Sequence, residues 1–133
     1  MYFTANQRIY RAEAGSDRGL DVNFAFDWTP DDLTYNFSQI TGGVRYHGLI
    51  PHRQRDTLST GVVCSRTSGV LNHALAQTGR VPYGTEKAVE VNYSLRLTRW
   101  LTVQPVLQHY FDPGALPHSR SQTIAGFRTT FVL

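Results

Sequence analysis

Two carboxylates on one face of a candidate strand are the first residues whose types and spacing suggest catalysis. Glu86 and Glu90 are four residues apart in a stretch where apolar and polar residues alternate. At about 3.3 Å per residue along a strand, their Cα atoms lie roughly 13 Å apart. Paired carboxylates of glycosidases lie roughly 5–9.5 Å apart, so this pair is too widely spaced for that acid–base chemistry.

Five histidines and one cysteine carry the other side chains that could bind a metal or attack a substrate. The histidines show no compact ligand spacing, and we expect most of them in turns and loops, surrounded by solvent. Cys64 falls on the apolar face of a candidate strand, which favours a small packing residue over a nucleophile. The histidines are His47, His52, His73, His109 and His118.

Motifs of nucleotide binding and nucleophilic catalysis are missing from the sequence. It contains no G-x-S-x-G, no P-loop and no G-x-G-x-x-G. We therefore expect no catalytic residue, no metal site and no cofactor, and the sequence does not predict an enzyme.

The bulk composition is typical of a single folded domain. The chain has 133 residues, of which 41% are hydrophobic and 17% charged, so disorder is not expected. Its net charge of +3 comes from scattered basic residues, which predicts no nucleic-acid partner. The chain contains no run of about 18 apolar residues, so no transmembrane helix is predicted. The first residues, M-Y-F-T-A-N-Q-R, show no secretion signal.

Alternation of apolar and polar residues dominates the chain. The stretch from Lys87 to Leu97 reads K-A-V-E-V-N-Y-S-L-R-L, with every odd position from Val89 onward apolar and every even position small, polar or charged. This period of two predicts a β-strand with one apolar face and one wet face. The apolar face either covers a soluble core or faces lipid, with water enclosed on the other side.

Seven strands follow from this pattern and from the turn residues between them. We expect an all-β fold, an antiparallel up-and-down meander, with one short helical turn in V-L-N-H-A-L-A between the fourth and fifth strands. The strands are about Tyr2–Arg11, Leu20–Trp28, Leu33–His47, Thr57–Arg66, Lys87–Leu97, Leu101–Phe111 and Gln122 to the C-terminus.

The tight reversal T-R-W sets a register for the hairpin formed by the fifth and sixth strands. If Leu97–Leu101 closes it, paired residue numbers sum to about 198, which brings like residues together on each face. Pro105 lies in the middle of the sixth strand, where its missing N–H should weaken the ladder. The expected pairs are Glu90 with Gln108, Val91 with Leu107, Ser94 with Gln104, Leu95 with Val103 and Arg96 with Thr102.

Three segments together resemble a known family. The hairpin contains A-V-E-V-N-Y-S-L-R-L-T-R-W-L-T-V-Q-P-V-L-Q-H-Y-F-D-P-G, the stretch from Arg45 to Asp56 reads R-Y-H-G-L-I-P-H-R-Q-R-D, and Q-R-I-Y-R with D-R-G-L precedes a strand ending in W-T-P-D-D. In this order they resemble the C-terminal region of the carbohydrate-selective porins, the OprB family of Gram-negative outer membranes. The family's Q-P proline accounts for Pro105.

The resemblance implies a fold and a function. Members of the family are sixteen-stranded barrels that admit sugars by passive diffusion, so residues 1–133 would form a single partial barrel domain made of the C-terminal strands. Apolar strand faces would contact outer-membrane lipid, with Trp100 at the periplasmic interface and Trp28 at the opposite one. The polar face would line the pore and contact mono- or oligosaccharides through Asp21, Asn23, Asp27, Arg45, Glu90, Asn92, Arg96, Gln104, Gln108 and Arg128.

Seven strands are too few to close such a barrel, because unpaired edges are not tolerated in lipid. We therefore expect a truncated reading frame or a fragment, completed by other β-strands or chains. The competing hypothesis is a soluble, lipocalin-like barrel that binds an apolar ligand inside. A third is a surface or structural β-protein that acts by interaction.

Overall fold

The fold is a single antiparallel sheet of seven strands joined in chain order. A computed structural model describes residues 1–132 and places each strand beside its sequence neighbours only, from β1 to β7. The predicted all-β meander is confirmed. The strands are β1 (Tyr2–Arg11), β2 (Gly19–Trp28), β3 (Asn36–His47), β4 (Thr57–Thr67), β5 (Thr85–Arg96), β6 (Leu101–Phe111) and β7 (Gln122–Phe131).

Strands β2, β4 and β5 differ from their expected bounds by one or two residues at their ends, and two further strand ends differ as follows. Strand β3 begins at Asn36 rather than at Leu33, because the N–H of Leu33 donates to the carbonyl of Pro30 and closes a turn before the strand starts. Strand β7 ends at Phe131, and the predicted continuation to the C-terminus includes Leu133, which lies outside the described residues. Both differences are at ends, where local turns compete with the ladder.

Directly paired residues point to the same side of the sheet, so rows of paired residues define its two faces. The two faces differ in chemistry. One row across the sheet runs through Asn23, Gly43, Gly61, Glu90 and Gln108, and we name this side the polar face. The adjacent row defines the apolar face. It runs through Val22, Val44, Thr60, Val91 and Leu107.

The β5–β6 ladder is interrupted where Pro105 lies. Paired numbers sum to 198 on both sides of the gap, as expected, from Glu90 with Gln108 to Arg96 with Thr102. Pro105 itself pairs with Phe127 of β7. The expected pair of Ser94 with Gln104 is missing from the described ladder. Since proline has no N–H to donate towards β5, the gap is local and the register survives it.

The described residues enclose almost no apolar core. Ala88 and Ala115 are the only buried hydrophobic side chains among residues 1–132. Large apolar side chains remain exposed on the apolar face, among them Val62 at 53% and Leu107 at 52%. None of the described helices is both long and apolar enough to cross a membrane. The sheet is therefore held mainly by its ladders, with its apolar face uncovered.

Three connections meet at one end of the sheet, which we name the loop end. They are residues 29–35, 68–84 and 112–121. The N–H of Ser68 donates to the carbonyl of Tyr35 at 2.8 Å, and the N–H of Gly84 donates to the carbonyl of Ala115 at 2.6 Å. The rings of Tyr35 and Tyr83 pack edge to face, with centroids 5.3 Å apart. These contacts join the three connections into one cluster.

The helical turn expected in the β4–β5 connection is a nine-residue helix, α1 (Gly69–Gln77). Its first turn is capped from two sides. The hydroxyl of Ser68 accepts from the N–H of Leu71, and the carboxylate of Asp31 accepts from the N–H groups of Gly69 and Val70 at 2.9–3.3 Å. The second cap lies 38 positions away in sequence and was not foreseeable from the local pattern.

We predict that Asp31→Ala loosens the loop end without disturbing the sheet. The substitution removes an anion from a helix N-terminus, which costs on the order of 1 kcal/mol. Residues 69–84 should then show faster amide hydrogen exchange and faster proteolytic cleavage than in the wild type. Asp32→Ala is the matched control, since Asp32 is exposed and accepts no side-chain hydrogen bond among the described residues. Equal exchange rates in the two variants would contradict the prediction.

Candidate functional site

All ten residues predicted to line a pore lie on the polar face. Asp21 pairs with Arg45, Asn23 with Gly43, and Glu90 with Gln108. Each remaining member is an even number of residues from one of these along its strand, or pairs directly with a residue that is, so its side chain points to the same side. The complete set on this face is Asp21, Asn23, Asp27, Arg45, Glu90, Asn92, Arg96, Gln104, Gln108 and Arg128.

Four of the ten form a continuous hydrogen-bonded network across β5 and β6. The carboxylate of Glu90 accepts from the side-chain amides of Asn92, at 2.7 Å, and of Gln108. The amide of Gln104 donates to the Oδ1 of Asn92 at 2.7 Å. Tyr110 extends the network by donating its hydroxyl to the Oε1 of Gln108 at 3.3 Å. These side chains hold one another in fixed orientations on the polar face.

A second network includes only one of the ten. The guanidinium of Arg8 donates to both carboxylate oxygens of Asp21, at 2.6 and 3.2 Å. The Nε2 of His47 lies 3.0 Å from Asp21, and its Nδ1 lies 3.1 Å from the hydroxyl of Thr57. The chain of contacts crosses strands β1 to β4. Arg8 and Thr57 alternate in step with the neighbouring polar residues of their strands. This alternation is the sequence signal that could have placed both of them on the polar face.

The expectation that the histidines lie mostly in turns and loops is wrong. His47 ends β3, His73 lies in α1, and His109 lies in β6, where its Nδ1 is 2.8 Å from the hydroxyl of Thr123. The bounds expected from the sequence already placed these three residues in elements, two in strands and one in the helical turn, so the alternation pattern was the better guide to their positions. Among residues 1–132 no three His, Cys, Asp or Glu side chains come close enough to hold a metal ion.

The remaining predicted residues are separate from both networks. Arg96 donates its side chain to the carbonyl of Arg99 at 3.5 Å. Asp27, Arg45 and Arg128 are exposed and make no side-chain hydrogen bond within residues 1–132. Glu86 points to the same face, but its carboxylate accepts from the N–H of Gly114 in the β6–β7 connection. It therefore attaches that connection to β5 at the loop end. The ten residues therefore share a face without forming one site.

Between the two networks the polar face forms an open depression of about 310 Å³. Gly43 and Gly61, which pair directly across β3 and β4, lie at its floor. A Cβ added at Gly43 would lie 2.8 Å from the Oδ1 of Asn23 and 2.9 Å from the carbonyl of Thr60. A Cβ at Gly61 would meet nothing nearer than the carbonyl oxygen of Gly42 at 3.5 Å. Gly43 is thus required by close packing, and Gly61 is not.

These two glycines give a matched prediction. Gly43→Ala should destabilise the folded chain by about 1–3 kcal/mol, because the new methyl group overlaps a backbone oxygen that cannot move freely. Gly61→Ala should change the free energy of unfolding by less than about 0.5 kcal/mol. Denaturant unfolding in detergent, followed by circular dichroism, compares the two. A Gly43→Ala variant as stable as Gly61→Ala would contradict the packing argument.

At the opposite end of the sheet, Asp56 ties the β3–β4 connection to β5. Its side chain is 2% exposed and accepts from the guanidinium of Arg53, from the hydroxyl of Tyr93 at 3.1 Å and from the backbone N–H of Arg96 at 3.0 Å. Burial alone would raise the pKa of Asp56, but the hydrogen bonds from these three donors outweigh it and hold the pKa below its usual range. Asp56 therefore stays ionised and fixes the connection in place.

Three comparisons with known proteins, by family model, by sequence and by structure, give consistent results. A family model described as the carbohydrate-selective porin, OprB family, matches residues 1–133. Porin B of Pseudomonas aeruginosa is 22% identical over 142 residues, which cover 96% of this chain and 31% of Porin B. A high-pH structure of Pseudomonas putida OprB superposes with a TM-score of 0.90 and 22% identity, over 98% of this chain and 34% of that one. The chain spans about a third of the length of these relatives.

Proposed function

The chain belongs to the carbohydrate-selective porin (OprB) family, and from that premise we propose that it forms part of the wall of an outer-membrane pore. Carbohydrates would cross this pore by passive diffusion, and the chain would act as a channel wall rather than as an enzyme. Within that pore, residues 1–133 would be a single partial domain made of the C-terminal strands of a larger barrel.

The observation that carries the proposal is the opposite chemistry of the two faces. The apolar face leaves large side chains uncovered, including Phe24, Val91 and Leu107, whereas the ten predicted pore-lining residues lie on the other face. Exposed apolar surface on this scale is costly in water. Contact with hydrocarbon on one side and with water on the other satisfies both faces, as in membrane barrels.

Aromatic side chains near both ends of the apolar face support a membrane location. Trp28 ends β2 at the loop end, whereas Trp100 lies in the β5–β6 turn at the other end and stacks on Phe131 with ring centroids 6.1 Å apart. In β3, Ser38 pairs with Trp28, and Tyr46 lies eight residues further along, near the other end of the apolar face. That spacing is about 27 Å along the strand, or roughly 20 Å in height after tilt, close to the height of an outer-membrane apolar band.

The strand count defines what can complete the barrel. Because every neighbouring pair is antiparallel and seven strands are present, β1 and β7 run in the same direction. A second copy in the same orientation would meet β7 in parallel, so it would not continue an antiparallel ladder. An even-numbered antiparallel barrel requires an odd number of further strands, supplied by the same chain or by other chains.

The polar face suits neutral carbohydrates as the diffusing solutes. Its amides and mixed charges offer donors and acceptors to hydroxyl groups, which do both. A pore needs contacts that are weak and repeated, so that a solute entering can also leave. The alternative, a soluble carrier with an apolar interior, is not favoured, because the sheet is open and its apolar face is not enclosed.

The test combines extraction with conductance. The chain would be expressed in a Gram-negative host, and its fractionation followed with and without detergent. We expect it in the outer membrane, extracted only by detergent, as an assembly that gives discrete conductance steps in a planar bilayer. Added glucose should reduce the conductance. Recovery as a detergent-independent soluble monomer, or conductance that no sugar affects, would contradict the proposal.

A further inference from the structure

The depression on the polar face has two charged groups on opposite sides of its glycine floor. Arg45 of β3 lines one side, and Glu90 of β5 lines the other. Strand β4 lies between them, with Gly61 beside Glu90 and Ser59 beside Arg45. Two inter-strand spacings and a two-residue offset separate the Cα atoms by roughly 12 Å.

Neither charged group is neutralised by an ion pair. Within residues 1–132, Arg45 has no carboxylate within salt-bridge distance, and Glu90 contacts two amides but no cation. By contrast, Asp21 and Asp56 each have an arginine partner. A guanidinium presents only donors and a carboxylate only acceptors, so the space between them favours a ligand that both accepts and donates.

The floor between these groups is open because Gly61 has no side chain. A Cβ at this position would fit without a clash, at 3.5 Å from the nearest atom, so packing alone does not require glycine. The volume of about 310 Å³ is at the lower end of the range for small-molecule sites, about 300–1,000 Å³. The absent side chain leaves room for one small ring over the floor.

We propose that this depression is a subsite for a single neutral sugar ring, seated over Gly61 between Arg45 and Glu90. The inference rests on the proposed function, in which the polar face lines the pore. Arg45 donates to ring hydroxyls on one side, and the carboxylate of Glu90, held by Asn92 and Gln108, accepts from hydroxyls on the other. A charged sugar gains no net preference, because attraction by one of the two wall charges is offset by repulsion from the other.

The experiment is a titration of the detergent-purified protein with D-glucose, followed by NMR of the side-chain amides. Signals of Asn92 and Gln108 report directly on the subsite because both contact Glu90. Wild-type signals should shift and saturate. Gly61→Val should weaken glucose binding by roughly tenfold or more, since its methyl groups occupy the floor. The control is Gly126→Val, on the same face of β7, where an added Cβ meets nothing within 4 Å.

A second pair of variants removes any dependence on the glycines. Arg45→Gln should weaken glucose binding by roughly tenfold, whereas Arg120→Gln, an exposed arginine in the β6–β7 connection and outside the polar face, should bind as the wild type does. A wild type whose amide signals do not respond to glucose overturns the subsite. So does equal binding by each variant and its control. If the protein binds glucose but gives no conductance, the proposed pore is contradicted and the subsite is not. If glucose blocks the conductance of the wild type and of Gly61→Val equally, the subsite alone is contradicted.

Discussion

Leu107→Lys is expected to lower the folding stability of the membrane-inserted protein by about 3 kcal/mol. Leu107 lies near the middle of β6, on the apolar face, with its side chain 52% exposed and with Val91 and Ala125 as its cross-strand neighbours. If this face contacts lipid, the ammonium group enters the hydrocarbon near the bilayer midplane, where lysine on a barrel costs about 2–4 kcal/mol. A loss of about 3 kcal/mol corresponds to a change of roughly 160-fold in the folding equilibrium.

Val106→Lys is the matched control, since it introduces the same charge one residue away. Val106 lies on the polar face between Asn92 and Gly126, so its lysine would extend into water. Urea unfolding of the protein in lipid vesicles should show a large loss for Leu107→Lys and a loss below about 1 kcal/mol for Val106→Lys. Equal losses, or a wild type that folds fully without lipid or detergent, would contradict the assignment of the apolar face to lipid.

Asp56→Ala should lower the stability by about 2 kcal/mol. The carboxylate is almost fully buried and satisfies three donors, so its removal leaves the hydroxyl of Tyr93 and the N–H of Arg96 without that acceptor. Unsatisfied buried groups cost about 1–3 kcal/mol each. Asp17→Ala, in the connection between β1 and β2 at the same end of the sheet, is the control, because Asp17 is exposed and forms no ion pair within residues 1–132.

The effect of Asp56 depends on pH in a defined direction. Its pKa is lowered in the folded state, so its contribution is fully present above the unfolded-state value of about 3.9. That contribution is lost as the pH falls through the lower folded-state pKa. The stability difference between wild type and Asp56→Ala should therefore be constant near neutral pH and shrink in acid. A difference that grows in acid would show that the ionised carboxylate is not the stabilising form.

Much of the sheet was predictable from the sequence because a strand's two faces are a local property. Alternation along β2 and β5 identifies the side that carries Asp21 or Glu90 without any knowledge of a neighbouring strand. The tight T-R-W turn extended this to one pair of strands, and four of the five expected pairs, all except Ser94 with Gln104, are present in the ladder with the register sum of 198. The resemblance on R-Y-H-G-L-I-P-H-R-Q-R-D drew attention to the segment that ends at Asp56 without indicating its partners.

The arrangement of the polar face was decided only by the tertiary structure. The pairing of Asp21 with Arg8 and His47, the capping of α1 by Asp31 and the attachment of Glu86 to the β6–β7 connection each join residues from different elements. Alternation specifies which way a side chain points, but contacts between strands also depend on register, and register is set by turns and packing far along the chain. For this reason the sequence by itself determined the strands, their two faces and the family, whereas the networks and the glycine-floored depression between them emerged only from the folded sheet.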